Sequence, residues 1–312
     1  MSIKTVNNPP RCRTCGRDLP WFRFGEASDI CPDCRTHAVQ NAPPSEEHPS
    51  PSAETTRLVV RQRSFPVTKT LVGINCAVFL LMTVSGVSPV DPAPKQLIQW
   101  GADWGPLALT AQPWRMLSSN YVHIGLFHIA LNMWCLWNLG FLAEVIFDRW
   151  TYILAYTACG IAGSLASLWW HPLSVGAGAS GAIFGLAGAL IAALYLGKLP
   201  IPKEALKGTL KSLLTFAGYN LVFGAVGRFI DNSAHIGGLL MGLLIGAVMA
   251  PHLINPDERN RWRVLIFGAV MLLLFAGTQY VRKVNAPAIQ QIWQNADRPH
   301  STSGDQPAQT DQ

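Results

Sequence analysis

The sequence predicts an all-α protein whose helices cross a membrane several times. Only 13% of the 312 residues are charged, about half the share usual in soluble domains, and 49% are hydrophobic. This composition argues against an ordinary cytosolic enzyme. Residues 1–70 hold 17 of the charged side chains, so the rest of the chain is far more apolar. Charge-free stretches of about 20 residues fit helices that cross a hydrocarbon layer of about 30 Å. These stretches are 70–90, 116–143, 150–197, 212–227, 232–256 and 264–281.

The number of spans follows from dividing these stretches. The stretch 150–197 is too long for one crossing, and His171-Pro172 followed by small residues at 174–181 divides it in two. A cleavable signal peptide is not expected, because the first apolar segment begins only near residue 68. The prediction is seven spans, at 68–86, 124–143, 151–169, 180–197, 209–226, 234–250 and 263–281.

Lysine and arginine predict the orientation, because cytoplasmic loops of membrane proteins carry an excess of them. We expect a multi-pass protein of the cell (inner) membrane with a cytoplasmic amino terminus. The net charge of +6 is then a topology signal, and no nucleic-acid partner is expected. The basic segment from Arg57 to Lys69 is expected to contact membrane lipids. The inner set is Arg57, Arg61, Arg63, Lys69, Arg149, Lys198, Lys203, Lys207, Lys211, Arg259, Arg261 and Arg263; the outer set is Lys95, Arg115, Arg228, Arg282 and Lys283.

Four cysteines in the head form two close pairs, Cys12 with Cys15 and Cys31 with Cys34, separated by fifteen residues. Four thiolates so spaced can surround a tetrahedral Zn²⁺, and a head of about 40 residues is too small to fold on a hydrophobic core alone. The prediction is a structural zinc ribbon at 1–35. Two disulfides or four free thiols are the alternatives, and a cytoplasmic location argues against disulfides.

The other domain boundaries follow from composition. Residues 36–64, rich in Pro, Ser and Glu before a basic end, predict a flexible basic linker. The six-span core is placed at 65–250 and the seventh span at 251–283. Residues 284–312 are expected to be a disordered tail.

Polar side chains inside apolar spans are costly, so each is a candidate functional residue. With the amino terminus inside, the second, fourth and sixth spans all run from outside to inside, and each begins with such a cluster. Three separate segments therefore place polar groups at one outer depth. The clusters are His123, His128 and Asn132; Gly178-Ala179-Ser180-Gly181; and Ala234-His235-Ile236-Gly237-Gly238.

Helical spacing adds detail to these clusters. His128 and Asn132 are four residues apart and share one helix face, whereas His123 is expected to face elsewhere. Ser180 at a helix start has free backbone N–H groups and the positive end of the helix dipole nearby. That setting suits an oxyanion.

Small residues predict a close contact between the fourth and sixth spans. The glycines concerned are Gly181, Gly185, Gly188, Gly238, Gly242 and Gly246. Such a contact would bring Ser180 to His235. Phe184, one turn below Ser180, is expected to pack flat on the His235 ring.

Together these motifs resemble the rhomboid intramembrane serine proteases, over roughly residues 65–250. The resemblance implies a six-span rhomboid helical bundle, here preceded by the zinc ribbon and followed by a seventh span. The matching motifs, in order, are Trp114-Arg115, His123-x4-His128-x3-Asn132, Gly178-Ala179-Ser180-Gly181 and Ala234-His235-x-Gly237-Gly238-x3-Gly242.

The resemblance also implies the chemistry. Ser180 would be the nucleophile and His235 its general base, with no cofactor for catalysis. His128, Asn132 and the Ser180 backbone N–H would form the oxyanion hole. The reaction would be hydrolysis of peptide bonds in or near the membrane segments of single-span proteins, through an acyl-enzyme. Supporting or structural residues would be Phe184, His123, Trp114, Arg115, Gly178, Gly181 and Gly238.

Three further residues are a substitution in the motif and two acids near the span ends. Many rhomboid relatives carry Tyr one turn after the nucleophile, and Phe184 replaces it here, which keeps stacking and loses a hydroxyl. Asp231 is the only acidic residue near the outer ends of the three spans, and we expect it in a solvated loop rather than on His235. Glu144 is expected to be a structural partner for nearby helix ends.

Two other function classes stay open. A catalytically inactive rhomboid-like binder of membrane proteins would lack the nucleophile or the base, whereas Ser180 and His235 are both present. A seven-span receptor or transporter would need a polar ligand path or inverted repeats, and we find no internal repeat. The sequence names no substrate and no partner for the zinc ribbon.

Overall fold

The computed structural model describes residues 11–17, 30–31, 33–34, 65–200, 202–226 and 230–296. The chain falls into two compact units, Met1–Arg63 and Ser64–Gln312. The predicted linker at 36–64 and the end of the predicted tail, 297–312, lie outside the described residues.

The larger unit is an all-α bundle, as the sequence predicts. Within its described residues there is no strand, and the β-type pairing is one isolated antiparallel bridge between Asp103 and Gly176. The helices are α1 Pro66–Val84, α2 Pro94–Gln99, α3 Gly105–Ala108, α4 Arg115–Ser118, α5 Leu126–Ile146, α6 Arg149–Trp170, α7 Ser180–Leu196, α8 Lys203–Val226, α9 Asn232–Met249 and α10 Pro256–Ala296, with 3-10 turns at Ser119–Tyr121 and Ala250–His252.

Seven of these helices correspond to the seven predicted spans. Of the described helices, α1, α5, α6, α9 and α10 are long and apolar enough to cross a membrane. Helix α7 is apolar but has only 17 residues, which is about 25 Å of helix. Helix α8 is less apolar because its first turns carry Lys203, Glu204 and Lys207. The chain is therefore a multi-pass membrane protein.

Helix α7 is the centre of the bundle, and every residue from Gly181 to Leu190 is buried. Helix α9 packs along it so closely that a Cβ atom on any of three α9 glycines would overlap an α7 carbonyl oxygen. The predicted contact through small residues is confirmed. The three close pairs are Gly238 with Gly181, Gly242 with Gly185, and Gly246 with Ala189.

Carboxylates hold the helix ends where α5 stops and α1 begins. Glu144 accepts hydrogen bonds from the backbone N–H groups of Val67 and Thr68, both at 2.9 Å, and from the Thr68 hydroxyl at 2.7 Å. Asp148 caps α6 and pairs with Arg263 at 2.8 Å. The structural role predicted for Glu144 is confirmed.

Helix α10 is longer than the sequence predicts. Its 41 residues make a helix of about 61 Å, roughly twice the thickness of a hydrocarbon layer. The prediction of a disordered tail from residue 284 is therefore wrong for residues 284–296. Composition alone missed this segment because its order comes from tertiary contacts: Asn285 and Ile289 are only 8% and 4% exposed.

Candidate active site

Ser180 is the first residue of α7. Gly178, two residues earlier, has a φ of +129°, which side chains rarely adopt, so this turn requires glycine. The helix end leaves backbone N–H groups free and has a partial positive charge. Ser180 is half-buried whereas the ten residues after it are buried. Its hydroxyl is therefore accessible at the start of a helix whose next ten residues are enclosed.

His235 lies in the first turn of α9 and is 7% exposed. Its ring is stacked on Phe184, with ring centroids 4.1 Å apart and planes 10° apart, which is the contact that the spacing predicts. Among the described residues its Nδ1 atom has no hydrogen-bond partner, and His235 forms no hydrogen bond with Ser180. Packing, rather than hydrogen bonding, thus holds this ring.

Three backbones meet beside the two side chains. A Cβ atom on Gly163 of α6 would lie 2.9 Å from the Ala234 carbonyl oxygen and 3.2 Å from the Gly181 Cα atom. Ala234 and Gly181 are the immediate neighbours of His235 and Ser180, so this contact brings the starts of α7 and α9 together. Sequence reasoning missed Gly163, although its place in a small-residue run of α6 was a visible signal.

His128 and Asn132 lie on α5, and the ring of His128 faces the turn before Ser180. A Cβ atom on Gly178 would lie 2.6 Å from Cε1 and 2.9 Å from Nε2 of His128, so only glycine fits there. The Asn132 amide donates to the His128 carbonyl oxygen at 2.9 Å, which uses one of its two N–H groups. One amide N–H of Asn132 remains for another acceptor.

His123 does not face away from the other two, and that prediction is wrong. Residues 122–125 are not helical, since α5 begins only at Leu126 after Gly125 with a φ of +85°. The His123 ring lies 5.3 Å from the His128 ring, and its Nε2 accepts a hydrogen bond from the Ala179 N–H at 3.4 Å. Burial lowers the pKa of His123 to about 3, so the ring is neutral and can accept this bond.

Arg115 stabilises the L1 loop, which we define as residues 85–125, through contacts within the loop. Arg115 is 6% exposed, and its guanidinium donates to the carbonyl oxygens of Ile98 at 2.6 Å and Ala102 at 3.0 Å. It also lies over the Trp114 ring at 4.8 Å. These contacts hold L1 together and place neither residue on Ser180 or His235.

The L1 loop is hydrogen-bonded to the chain just ahead of Ser180, residues 171–179, which we call the pre-serine segment. Asp103 and Gly176 exchange two backbone hydrogen bonds of 2.8 Å. The Gly105 N–H donates to the Pro172 carbonyl at 2.9 Å, and the Gly178 N–H donates to the Ser119 carbonyl at 2.9 Å. The position of Ser180 therefore depends on L1.

Asp231 is the N-cap of α9 and not part of a solvated loop. It accepts hydrogen bonds from the hydroxyls of Ser167 and Ser233 and from the Ala234 N–H at 3.1 Å. Burial alone would raise the pKa of Asp231, but these hydrogen bonds outweigh it and keep the pKa below its usual range. Its carboxylate oxygens are thus occupied by these three donors and form no bond with the His235 ring, while its backbone carbonyl oxygen accepts from the His235 N–H at 3.3 Å.

Asp103 is a buried acid that sequence reasoning missed, although it is the only charged residue between Lys95 and Arg115. It is 2% exposed, and within the described residues neither carboxylate oxygen has a hydrogen-bond partner. Burial raises the pKa of Asp103 to about 8. The nearby Ser164 hydroxyl and the charge of Arg115 oppose this rise, and the charge of Asp231 adds to it.

A pH dependence of stability follows from Asp103. Because its folded pKa lies above the ordinary value of 3.8, the folded state binds the proton more tightly, and stability falls as pH rises from about 4 through 8. Asp103→Asn should flatten the fall in melting temperature between pH 5 and 8.5, measured in detergent. Asp91→Asn, at an exposed site in the same loop, is the control. An unchanged slope in Asp103→Asn would contradict the assignment.

The four head cysteines form one cluster. The Sγ atoms of Cys12, Cys15, Cys31 and Cys34 all lie within 4.8 Å of one another. The Cys15–Cys31 Sγ separation is 3.6 Å, close to the ~3.8 Å between ligands of a tetrahedral zinc with Zn–S bonds near 2.3 Å. The Cys31 N–H donates to Cys12 Sγ at 3.1 Å and lowers the pKa of Cys12 to about 6. The donor set fits Zn²⁺.

Comparison with known proteins finds rhomboid proteins. The family model for the rhomboid domain matches residues 110–252. The chain is 35% identical to the rhomboid protease GluP of Bacillus subtilis over 238 residues, 76% of this chain and 45% of GluP. It is 30% identical to the rhomboid protease AarA of Providencia stuartii over 210 residues, 60% of this chain and 74% of AarA.

A plant relative is similarly close. RHOMBOID-like protein 7 of Arabidopsis thaliana is 32% identical over 164 residues, 52% of this chain and 51% of that protein. The chain thus spans about half the length of two of these three relatives and about three quarters of the third. The residues that the family model matches include Ser180 and His235.

Proposed function

Because the chain belongs to the rhomboid family, we propose that it is an intramembrane serine endopeptidase that uses Ser180 and His235. The observation that carries this proposal is the backbone contact between α7 and α9, at Gly181 and Gly238, with the His235 ring stacked on Phe184. It puts an accessible hydroxyl and an oriented imidazole at adjacent helix ends. Peptidase activity agrees with the names of the relatives.

The reaction is proposed to proceed through an acyl-enzyme. His235 removes the proton from the Ser180 hydroxyl as the oxygen attacks the scissile carbonyl carbon. The proton then passes to the leaving amine, the C–N bond breaks, and an ester on Ser180 remains. Water adds to the ester with His235 again as base, which frees the acid product and restores Ser180. Catalytic hydrogen bonds are often formed only with substrate, so their absence between Ser180 and His235 does not oppose this sequence.

The negative oxygen of each tetrahedral intermediate needs hydrogen-bond donors. The backbone N–H of Ser180 is free at the start of α7, and the positive end of the helix dipole lies there. The His128 ring lies against the adjoining Gly178, and Asn132 has a second amide N–H. We assign these three groups to the oxyanion hole, while His123 and Arg115 support the surrounding loops.

The proposed substrates are single-span membrane proteins, cut near the end of the span that lies close to Ser180. Helix α7 is slightly shorter than a hydrocarbon layer, so its first residue would lie a few Å inside the boundary. The proposed orientation places the amino terminus in the cytoplasm and the active site toward the outer face of the inner membrane.

Labelling with a fluorophosphonate probe tests the enzyme proposal, because the probe reacts only with an activated serine. We expect one labelled serine per chain in wild type, none in Ser180→Ala, and none in His235→Ala. An inactive binder, a receptor or a transporter would leave the folded wild type unlabelled. Mass spectrometry of the labelled peptide identifies the residue.

The dyad assignment predicts a small effect at Asp231. Asp231→Asn removes the charge but keeps an N-cap side chain, because Asn caps helices as well as Asp does. We expect less than a threefold change in kcat, whereas loss of a triad Asp costs about 10⁴-fold. Cleavage of a single-span substrate in liposomes measures this change. A folded Asp231→Asn that is nearly inactive would show that Asp231 orients His235.

We also propose that the head is a zinc ribbon in which Cys12, Cys15, Cys31 and Cys34 hold one structural Zn²⁺. A metal bound by four thiolates would order a head that has little core of its own. The metal takes no part in the proposed cleavage.

Metal analysis tests the ribbon. The purified protein should contain one zinc per chain, and Cys15→Ser should lose most of it, since three thiolates bind zinc less tightly than four. Cys76→Ser, in a membrane helix, is the matched control and should keep the metal. Less than about a tenth of an equivalent in wild type, without chelators, would refute the ribbon.

A further inference from the structure

The C-terminal half of α10, residues 277–296, packs on two parts of the protein that adjoin the pre-serine segment. Val281 and Ile289 are each 4% exposed. They form one apolar cluster with Ala108 and Leu109 of the L1 loop and with Leu168 near the end of α6. This half of the helix therefore touches both L1 and the helix from which the pre-serine segment emerges.

Polar and aromatic contacts lie on the same face of α10 as Val281 and Ile289. The buried amide of Asn285 donates to the Leu168 carbonyl oxygen at 3.3 Å. Nearer the end of the helix, the Trp293 ring meets the Trp104 ring edge to face, with centroids 6.3 Å apart. The contacts with L1 thus continue to the last turn of α10.

The spacing shows that this is one face of the helix. Val281, Asn285 and Ile289 are four residues apart and form a buried stripe, whereas Tyr280 and Val284 are 59% and 48% exposed. Since about 20 residues suffice to cross a hydrocarbon layer, the turns after residue 283 are not needed for the crossing. Their contacts with L1 and α6 give this extra length a role within the protein.

L1 in turn determines where the pre-serine segment lies. Besides the backbone bonds at Asp103 and Gly105, the Trp104 indole N–H donates to the Leu173 carbonyl at 3.2 Å. Trp104 therefore contacts α10 through its ring and the pre-serine segment through its nitrogen. A displacement of L1 would be transmitted to residues 171–179 and so to Ser180.

We propose that the C-terminal half of α10 positions Ser180 by holding L1 against the pre-serine segment. This inference rests on the proposed function, because it assigns α10 a part in the reaction of Ser180. Val281, Asn285, Ile289 and Trp293 are positioning residues that act through L1 and the end of α6, with no contact to the reacting atoms.

The chain offers a matched pair of substitutions for the test. Val281→Ala and Val284→Ala remove the same atoms three residues apart on α10, one from the buried stripe and one from an exposed site. Ile289→Ala is a second stripe variant, and Ile289→Val should restore most of the contact. Trp293→Ala removes a half-exposed ring near the end of the helix and should leave the bundle folded.

Two measurements are made on full-length protein in detergent. Hydrogen exchange of the peptides covering 100–118 and 171–179 reports whether L1 and the pre-serine segment are held. The rate of fluorophosphonate labelling of Ser180 reports its alignment, because even a 1 Å displacement of a reacting group is costly. Thermal melting checks folding.

We expect faster exchange in both peptides and about tenfold slower labelling in Val281→Ala and Ile289→Ala. Val284→Ala should match wild type, and Ile289→Val should lie close to it. With a membrane substrate, kcat should fall while KM stays nearly constant. If the stripe variants do not fold, Trp293→Ala tests the proposal instead. It should show faster exchange in both peptides and slower labelling, each by less than in the stripe variants.

Unchanged exchange and labelling in folded stripe variants, or in Trp293→Ala where those do not fold, would overturn the inference. Equal effects of Val281→Ala and Val284→Ala would also overturn it, because the loss would then be general. An unlabelled wild type would refute the proposed function instead, and hydrogen exchange would still decide whether α10 holds L1.

Discussion

Ser180→Ala and His235→Ala are each expected to reduce cleavage of a single-span substrate in liposomes below detection. Ser180 is the proposed nucleophile at the start of α7, and His235 is the imidazole that packing with Phe184 directs at the adjoining helix end. Without the hydroxyl no ester can form, and without the base the hydroxyl is too weak a nucleophile. Removing either member of such a pair typically costs about as much as removing both.

Controls of the same residue type separate this loss from damage to the bundle. Ser212→Ala changes an exposed serine of α8, and His252→Ala changes a histidine that stacks on Trp262 beyond the far end of α9. Both should cleave at close to the wild-type rate, with melting temperatures showing that every variant is folded. A folded Ser180→Ala that cleaves like wild type would refute the enzyme proposal.

Much of the helical bundle could be predicted from sequence because hydrophobicity and charge determine it directly. Backbone N–H and C=O groups in lipid have no water to bond with, so a membrane-spanning segment must form a helix that satisfies them internally. A charge-free stretch of about 20 residues therefore predicts a helix directly. The packing of α7 on α9 is equally predictable from sequence, because glycines at every fourth position leave no side chain between the two backbones. The stack of Phe184 on His235 then follows from the helical register.

The errors occur where helical register does not apply. The predicted direction of the His123 side chain assumes that residues 123–128 are helical. Gly125 has a positive φ, so the chain before α5 is not helical and that assumption fails. Asp103 was missed because its burial depends on a backbone bridge to Gly176, more than seventy residues away. Such contacts between distant segments leave no periodic signal in the sequence.

The end of α10 shows the same limit. Its polar side chains suggest disorder when they are counted along the chain. Yet Asn285 is buried because Leu168 supplies an acceptor, and Ile289 because it packs in an apolar cluster with residues of L1 and α6. Order in that segment is decided by its partners rather than by its own composition.

Asn132→Ala and His128→Ala are expected to lower kcat by about 10² to 10³-fold without abolishing cleavage, the cost typical of one lost oxyanion donor. Each removes one group among several, and the Ser180 N–H remains. KM should change little, because the donors act on charge that develops only in the transition state. Steady-state cleavage in liposomes gives both constants.

Asn138→Ala is the matched control for Asn132→Ala. On the same helix, Asn138 donates to the Trp134 carbonyl oxygen at 2.7 Å, just as Asn132 donates to that of His128 at 2.9 Å. Loss of this intrahelical bond is therefore common to both variants, and any difference in kcat measures what the second N–H of Asn132 does. Equal kcat values for the two folded variants would remove Asn132 from the oxyanion hole, whereas a deficit of 10²-fold or more in Asn132→Ala alone would support its assignment.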